Sequence, residues 1–121
     1  MRRPKAPYSK SLAEIAAHLG LQEPAIDIEI SGLTHDSREV RTGDLYIALP
    51  GVRTHGARFA DSALAQGARA ILTDSTGLGV LDKFQIPILC AEDIRGQMGD
   101  LSAWFYKFPS SRFNLVGVTG P

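Results

Sequence analysis

The sequence predicts a small single α/β domain with a mixed sheet of about four or five strands flanked by helices, in the usual size range. Three observations predict it. Ile26, Ile28 and Ile30 alternate with Asp27 and Glu29, the period of a half-buried strand. The stretch from Asp44 to Asp74 reads strand, loop, helix, strand, a crossover unit that favours parallel pairing and right-handed topology. Ile94, Met98, Leu101, Trp104 and Phe105 fall on one face of a helix over 94–106.

The remaining elements follow in chain order. Residues 1–10 are polar with two prolines and are expected to be flexible. Ser11 is a candidate N-cap, with Glu14 completing a capping box; Leu12, Ile15, Ala16 and Leu19 follow at helical spacing and Gly20 ends the helix. Ser31-Gly32 breaks the first strand, and Leu33 to Asp36 continues the extended path. Ser37 to Gly43 is a polar loop. Leu45 to Leu49 is apolar throughout, as in a strand covered on both faces, and Pro50-Gly51 ends it. Phe59 to Gln66 is a short helix closed by Gly67, and Ala70 to Leu72 the next strand. Ser75 to Asp82 reads as a polar, Gly-rich connector, and Ile86 to Ala91 as a strand. Asp93 is a candidate cap for the last helix, which Gly96 and Gly99 weaken and Pro109 stops. Phe113 to Val118 reads as a final strand entering a glycine turn, the way a phosphate-binding loop begins.

Composition narrows the function classes. The 121 residues suit one domain with one core, and 44% hydrophobic and 21% charged residues are ordinary for a globular chain. Thirteen basic and thirteen acidic side chains cancel, which argues against a nucleic-acid partner. Cys90 has no partner for an internal disulfide and is expected to be a buried, inert thiol, which suits a cytoplasmic protein. No apolar run approaches the length of about 20 residues that spans a bilayer, and no signal-peptide core is present at the N-terminus, so no membrane partner is expected.

The most informative stretch is Leu33 to Gly56, which sets Asp36, Ser37, Arg38, Thr42, Asp44, Arg53, Thr54 and His55 around a short apolar run. Polar loops on a rigid strand edge are where ligand sites sit. Thr34-His35-Asp36-Ser37-Arg38, Gly43-Asp44-Leu45 through Pro50-Gly51, His55-Gly56, Phe59, Ala63 and Gly67-Ala68 together resemble the N-terminal domain of Mur ligases, which build the peptidoglycan stem peptide. The tail Trp104-Phe105-Tyr106-Lys107-Phe108-Pro109-Ser110 and Leu115 to Gly120 resembles most the branch that adds the third amino acid; the branch that adds D-Ala-D-Ala is the close alternative.

The resemblance implies residues 1–10 as a flexible N-terminus, 11–112 as the domain that binds the UDP-MurNAc-dipeptide substrate, and 113–121 as the truncated start of an ATP-binding central domain. ATP and Mg²⁺ would serve the full-length enzyme, with the remaining ligase domains in cis and an acyl-phosphate on the path to the amide. This fragment would bind neither and would be inactive alone. Substrate contacts are implied for His35, Ser37, Val52, Arg53 and Thr54, and the start of the phosphate loop for Thr119 and Gly120, where Pro121 departs from the Thr of the family.

Each of these residues also has a plainer reading. Ser37 can cap a turn, His35 can be a strand-end surface histidine, and 52–54 can be a solvated connector. Arg38 either grips a phosphate bidentately or pairs with Asp36 or Asp44. His55 stands where the family commonly has Asp and is expected to hold the loop; no catalytic set or metal spacing surrounds it. His18 is expected on the surface, and Trp104, Phe105 and Tyr106 in core and domain-junction packing. A stand-alone nucleotide-sugar-binding module is the alternative of a different class.

Overall fold

The structure, a computed structural model, describes residues 9–106. The expected strand at 113–118, Pro109, Thr119 and Gly120 lie outside the described residues. Four strands make one sheet: β3 (Gly32–Thr34), β4 (Asp44–Ile47), β5 (Ala70–Thr73) and β6 (Ile88–Cys90), side by side in that order and all parallel. A separate antiparallel pair joins β1 (Lys10–Ser11) to β2 (Glu29–Ile30). The antiparallel contribution expected within one mixed sheet therefore forms its own two-stranded ribbon. The Ile26–Ile30 alternation pairs only at its end: Ile26 is exposed because no strand lies beside it, and Ile30 alone of the three is fully buried.

Strand alternation sorts the core into two layers. Leu45, Ile47, Ala70, Leu72, Leu89 and Ala91 face one side, against Leu12 and Ile15 of α1 (Leu12–His18) and Ile94, Leu101 and Phe105 of α4 (Ile94–Tyr106). Tyr46, Ala48 and Ile71 face the other, against Ala60 and Ala63 of α2 (Ala60–Ala65) and Leu81, which follows α3 (Ser75–Val80). Burying each large aliphatic contributes about 1.5–3 kcal/mol. The result is three layers, helix, sheet, helix.

Local chemistry explains the helix ends. Ser11 accepts from the Glu14 amide at 3.1 Å and Glu14 accepts from the Ser11 amide at 2.9 Å, the reciprocal capping box. Gly20 and Gly67 take positive φ and close α1 and α2 with paired back-bonds, Leu21 to Ala16 and Ala68 to Ala63. Helix α3 replaces the connector expected over 75–82. Asp74 caps it by accepting from the Gly77 amide at 2.9 Å, which offsets the poor helix propensity of Gly77 and Gly79. Asp93 departs from an ordinary cap: it sits at φ 55, with its carboxylate against Gly96, where a Cβ would lie 2.5 Å from Oδ2.

Two side chains join distant elements. The His18 ring is mostly buried, not a surface group: it stacks on Trp104 at 4.2 Å and its Nε2 lies 2.8 Å from Asp100 Oδ2, fastening α1 to α4. The Tyr106 hydroxyl accepts from the Leu33 amide at 2.8 Å and so occupies part of the edge of β3. Phe105 is fully buried while Trp104 and Tyr106 are half-buried against the core. Cys90 is also half-buried, less enclosed than its apolar neighbours suggest, and burial pushes its thiol pKa up.

Candidate functional site

The loops after β3 and β4 leave the carboxyl edge of the parallel sheet, the edge where open α/β sheets bind ligands. Between them opens a cleft of about 720 Å³. One wall comes from His35 to Arg38, the other from Leu49, Pro50, Gly51 and Thr54, with Phe59 and Ser62 of the next segment and Arg95 and Met98 of α4 completing the sides. Tyr46 and Gly56 complete the lining. Its mixture of apolar side chains with a few directed polar groups is that of a small-molecule site.

The first wall is fastened within itself. Asp36 accepts from the Arg38 amide at 2.9 Å and caps a single 3-10 turn over Ser37–Glu39. The Arg38 guanidinium forks onto the same carboxylate, Nε to Oδ1 and Nη2 to Oδ2, both at 3.0 Å. Those hydrogen bonds hold the Asp36 carboxyl below its ordinary value and raise the Arg38 pKa. Gln66 donates to the Ser37 carbonyl, and the buried Asp44 accepts from the Arg41 amide at 2.9 Å. Of the alternatives open for Arg38, the structure takes the pair with Asp36.

The second wall is fastened at its ends. The Gly56 amide donates to the Leu49 carbonyl at 2.7 Å, and the Tyr46 hydroxyl donates to the Gly56 carbonyl at 2.7 Å. A Cβ on Gly56 would sit 2.9 Å from the Leu49 nitrogen, so only glycine permits this closure. Burial of Tyr46 pushes its phenol up to about 12, keeping it a neutral donor. Arg95 reaches across from α4 and donates through Nη2 to the Pro50 carbonyl.

His55 anchors the far end. Its Nδ1 accepts from the Ala57 amide at 2.9 Å, so the proton is on Nε2, which donates to Asp74 Oδ1 at 2.7 Å. Burial raises the Asp74 pKa, but hydrogen bonds from the Gly77 amide and His55 outweigh it and leave the carboxyl below its ordinary value. The His55 ring fits because position 77 is glycine: a Cβ there would lie 2.6 Å from Cε1. The expectation that His55 holds the loop agrees with this geometry.

His35 and Ser37, from the loop after β3, line the cleft together with Thr54, which lies on the far side of β4 in the chain. Val52 and Arg53 do not line it; both are exposed at the tip of the second wall, and Val52 is exposed to 104%. The physical reason is that the tip turns outward above a neck closed by Gly56. Arg95, Met98, Phe59 and Ser62 were absent from the sequence-derived set. Phe59 belonged to the family pattern without a site role, and the one-sided pattern of α4 puts Met98 beside the core-facing Ile94 and Leu101; Arg95 and Ser62 carried no local signal. Among the described residues no three His, Cys, Asp or Glu side chains gather as metal ligands, and no helix is long and apolar enough to cross a membrane.

A family profile described as "Mur ligase family, catalytic domain" matches residues 29–105, more than half of the chain. The chain belongs to the Mur ligase family. It is 46% identical over 98% of its length to the UDP-N-acetylmuramoyl-L-alanyl-D-glutamate–2,6-diaminopimelate ligase of Streptomyces avermitilis, and 45% identical over 98% to that of Streptomyces coelicolor. It spans only 23% of the length of each of these relatives. In fold it resembles the D-alanyl-D-alanyl ligase of Acinetobacter baumannii, with a TM-score of 0.64, 22% identity, and coverage of 86% of this chain and 22% of that one. As a Mur ligase domain it is the small α/β unit expected, with a four-stranded parallel sheet.

Proposed function

We propose that this chain is the substrate-binding N-terminal domain of a Mur ligase that adds diaminopimelate to UDP-MurNAc-L-Ala-D-Glu. The observation that carries the reading is the cleft itself, in which His35, Ser37 and Thr54 converge at the carboxyl edge of the sheet. Hydroxyls of Ser37, Thr54 and Ser62 suit uracil and ribose, and a cationic side chain in the lining suits a diphosphate. Sequence kinship at 45–46% with two diaminopimelate ligases supports that branch over the D-Ala-D-Ala branch, whose likeness is one of fold.

In this reading residues 11–112 hold the nucleotide end, and 113–121 begin the domain that uses ATP and Mg²⁺, with Thr119 and Gly120 opening its phosphate loop. The full enzyme would activate the substrate carboxylate as an acyl-phosphate, which the amine of the incoming amino acid attacks. Binding far from the reacting carboxylate is useful because it fixes the substrate's position for that attack. The setting is cytoplasmic. Calorimetry of the 121-residue chain with UDP-MurNAc, UDP and ATP tests the reading. Saturable heat with both uridine ligands and none with ATP supports it; equal binding of ATP and UDP contradicts it.

A further inference from the structure

We propose that Arg95, on the first turn of α4, is the residue of the cleft that grips the ligand's diphosphate and sets its preference for nucleoside diphosphate over nucleoside. The inference rests on the reading of the cleft as a uridine-diphosphate site, and it comes from comparing the two arginines that line it.

Arg38 is spent. Its Nε and Nη2 both point at the Asp36 carboxylate at 3.0 Å, so its side-on fork is occupied and its charge is compensated. Arg95 is placed but not spent. It gives one Nη2 hydrogen bond to a neutral carbonyl, that of Pro50, and forms no ion pair with any carboxylate among the described residues. A guanidinium carries five N–H donors in a planar fork, so most of its capacity remains for an anion. The lining holds two arginines and one acid, Asp36, which leaves Arg95 as the uncompensated charge among these groups.

Its position is equally particular. The bond to Pro50 holds the guanidinium against the start of the 50–54 loop, in the same cleft that Ser37 lines. An anion lying between α4 and that loop meets Arg95 together with the hydroxyl of Thr54. A nucleoside without phosphate gains nothing from this charge. Arg95 is therefore a specificity-determining contact for the charged part of the ligand, set on a helix and so held more rigidly than a loop residue.

The test compares uridine with UDP on the wild-type chain, R95Q and R95K by calorimetry, with thermal melting to establish that each variant is folded. Wild type binds UDP more tightly than uridine. R95Q weakens UDP by about tenfold while uridine changes by less than about twofold, as expected for loss of one charge-assisted contact, and R95K recovers part of the UDP affinity. An equal loss for uridine and UDP in R95Q overturns the proposal, because Arg95 would then act only by holding Pro50. Equal affinity of uridine and UDP for wild type also overturns it. A folded wild-type chain that binds neither contradicts the underlying reading of the cleft, and that failure shows before any variant is made.

Discussion

The two walls of the cleft are built in opposite ways. From Thr34 to Asp44 the first is cross-linked along its length: the Asp36–Arg38 fork, the Gln66 bond to Ser37 and the Asp44 bond to Arg41 leave little of it unsupported. The second is closed at a neck, Leu49 to Gly56, and braced by Arg95 and His55 on either side, while Val52, Arg53 and Thr54 make no hydrogen bond to any described residue. The difference teaches where ligand affinity is controlled. One wall is a preformed edge whose charges are internally balanced. The other offers Thr54, with no hydrogen bond among the described residues, and, beside it on α4, an arginine with donors to spare, and its usefulness depends on how firmly the neck is held.

The largest way to break this contrast is to crowd the brace. In Gly77→Ala the new Cβ would lie 2.0 Å from Thr73 Oγ1 and 2.6 Å from His55 Cε1. Urea unfolding should show a loss of about 3 kcal/mol, the upper range for overpacking, together with loss of UDP binding. His55→Ala removes the brace without crowding. It strands the Ala57 amide and one Asp74 contact, and should cost about 1–2 kcal/mol by the same measurement. In an NMR spectrum its changes should concentrate at 50–57 and 74–77 and spare 35–38.

Acid sharpens the comparison next. Asp74 titrates below its ordinary value of 3.8 in the folded chain, so its contacts stabilise the fold above that pH and the contribution is lost as pH falls through the lower folded value. Melting temperature followed below pH 3.8 should therefore fall more steeply in wild type than in Asp74→Asn. The smallest effect belongs to the first wall. The double variant D36N/R38Q removes a pair of an exposed Arg38 and a half-buried Asp36 without changing net charge, and Asn can still cap the 3-10 turn. Its stability should stay within about 1 kcal/mol of wild type, and its preference for UDP over uridine should persist.

Much of this arrangement was written locally in the chain. The Ser11–Glu14 box, the Gly20 and Gly67 stops, the parallel unit around β4 and β5, and α4 over 94–106 all follow from short-range patterns, and they appear where those patterns put them. Helix α3 was obscured by Gly77 and Gly79, although Asp74 is a cap signal and Gly77 is required by the His55 ring. The long-range facts were not legible. Nothing near His18 announces Trp104, and nothing near Arg95 announces Pro50, since both contacts exist only once α4 has packed on the sheet. Within the cleft, the resemblance pointed to His35, Ser37 and Thr54, which line it, and also to Val52 and Arg53, whose outward turn depends on the neck geometry.

The most direct test of the account is a ¹H–¹⁵N NMR titration of the 121-residue chain with UDP. The account predicts shifts on both walls, at 35–38 and 51–54, together with the Arg95 side-chain Nε–H, and none of these with an equal concentration of ATP. A folded chain whose shifts fall instead along the outer edge of β3, at Leu33 to Arg41 beside Tyr106 with 51–54 and Arg95 silent, would contradict it.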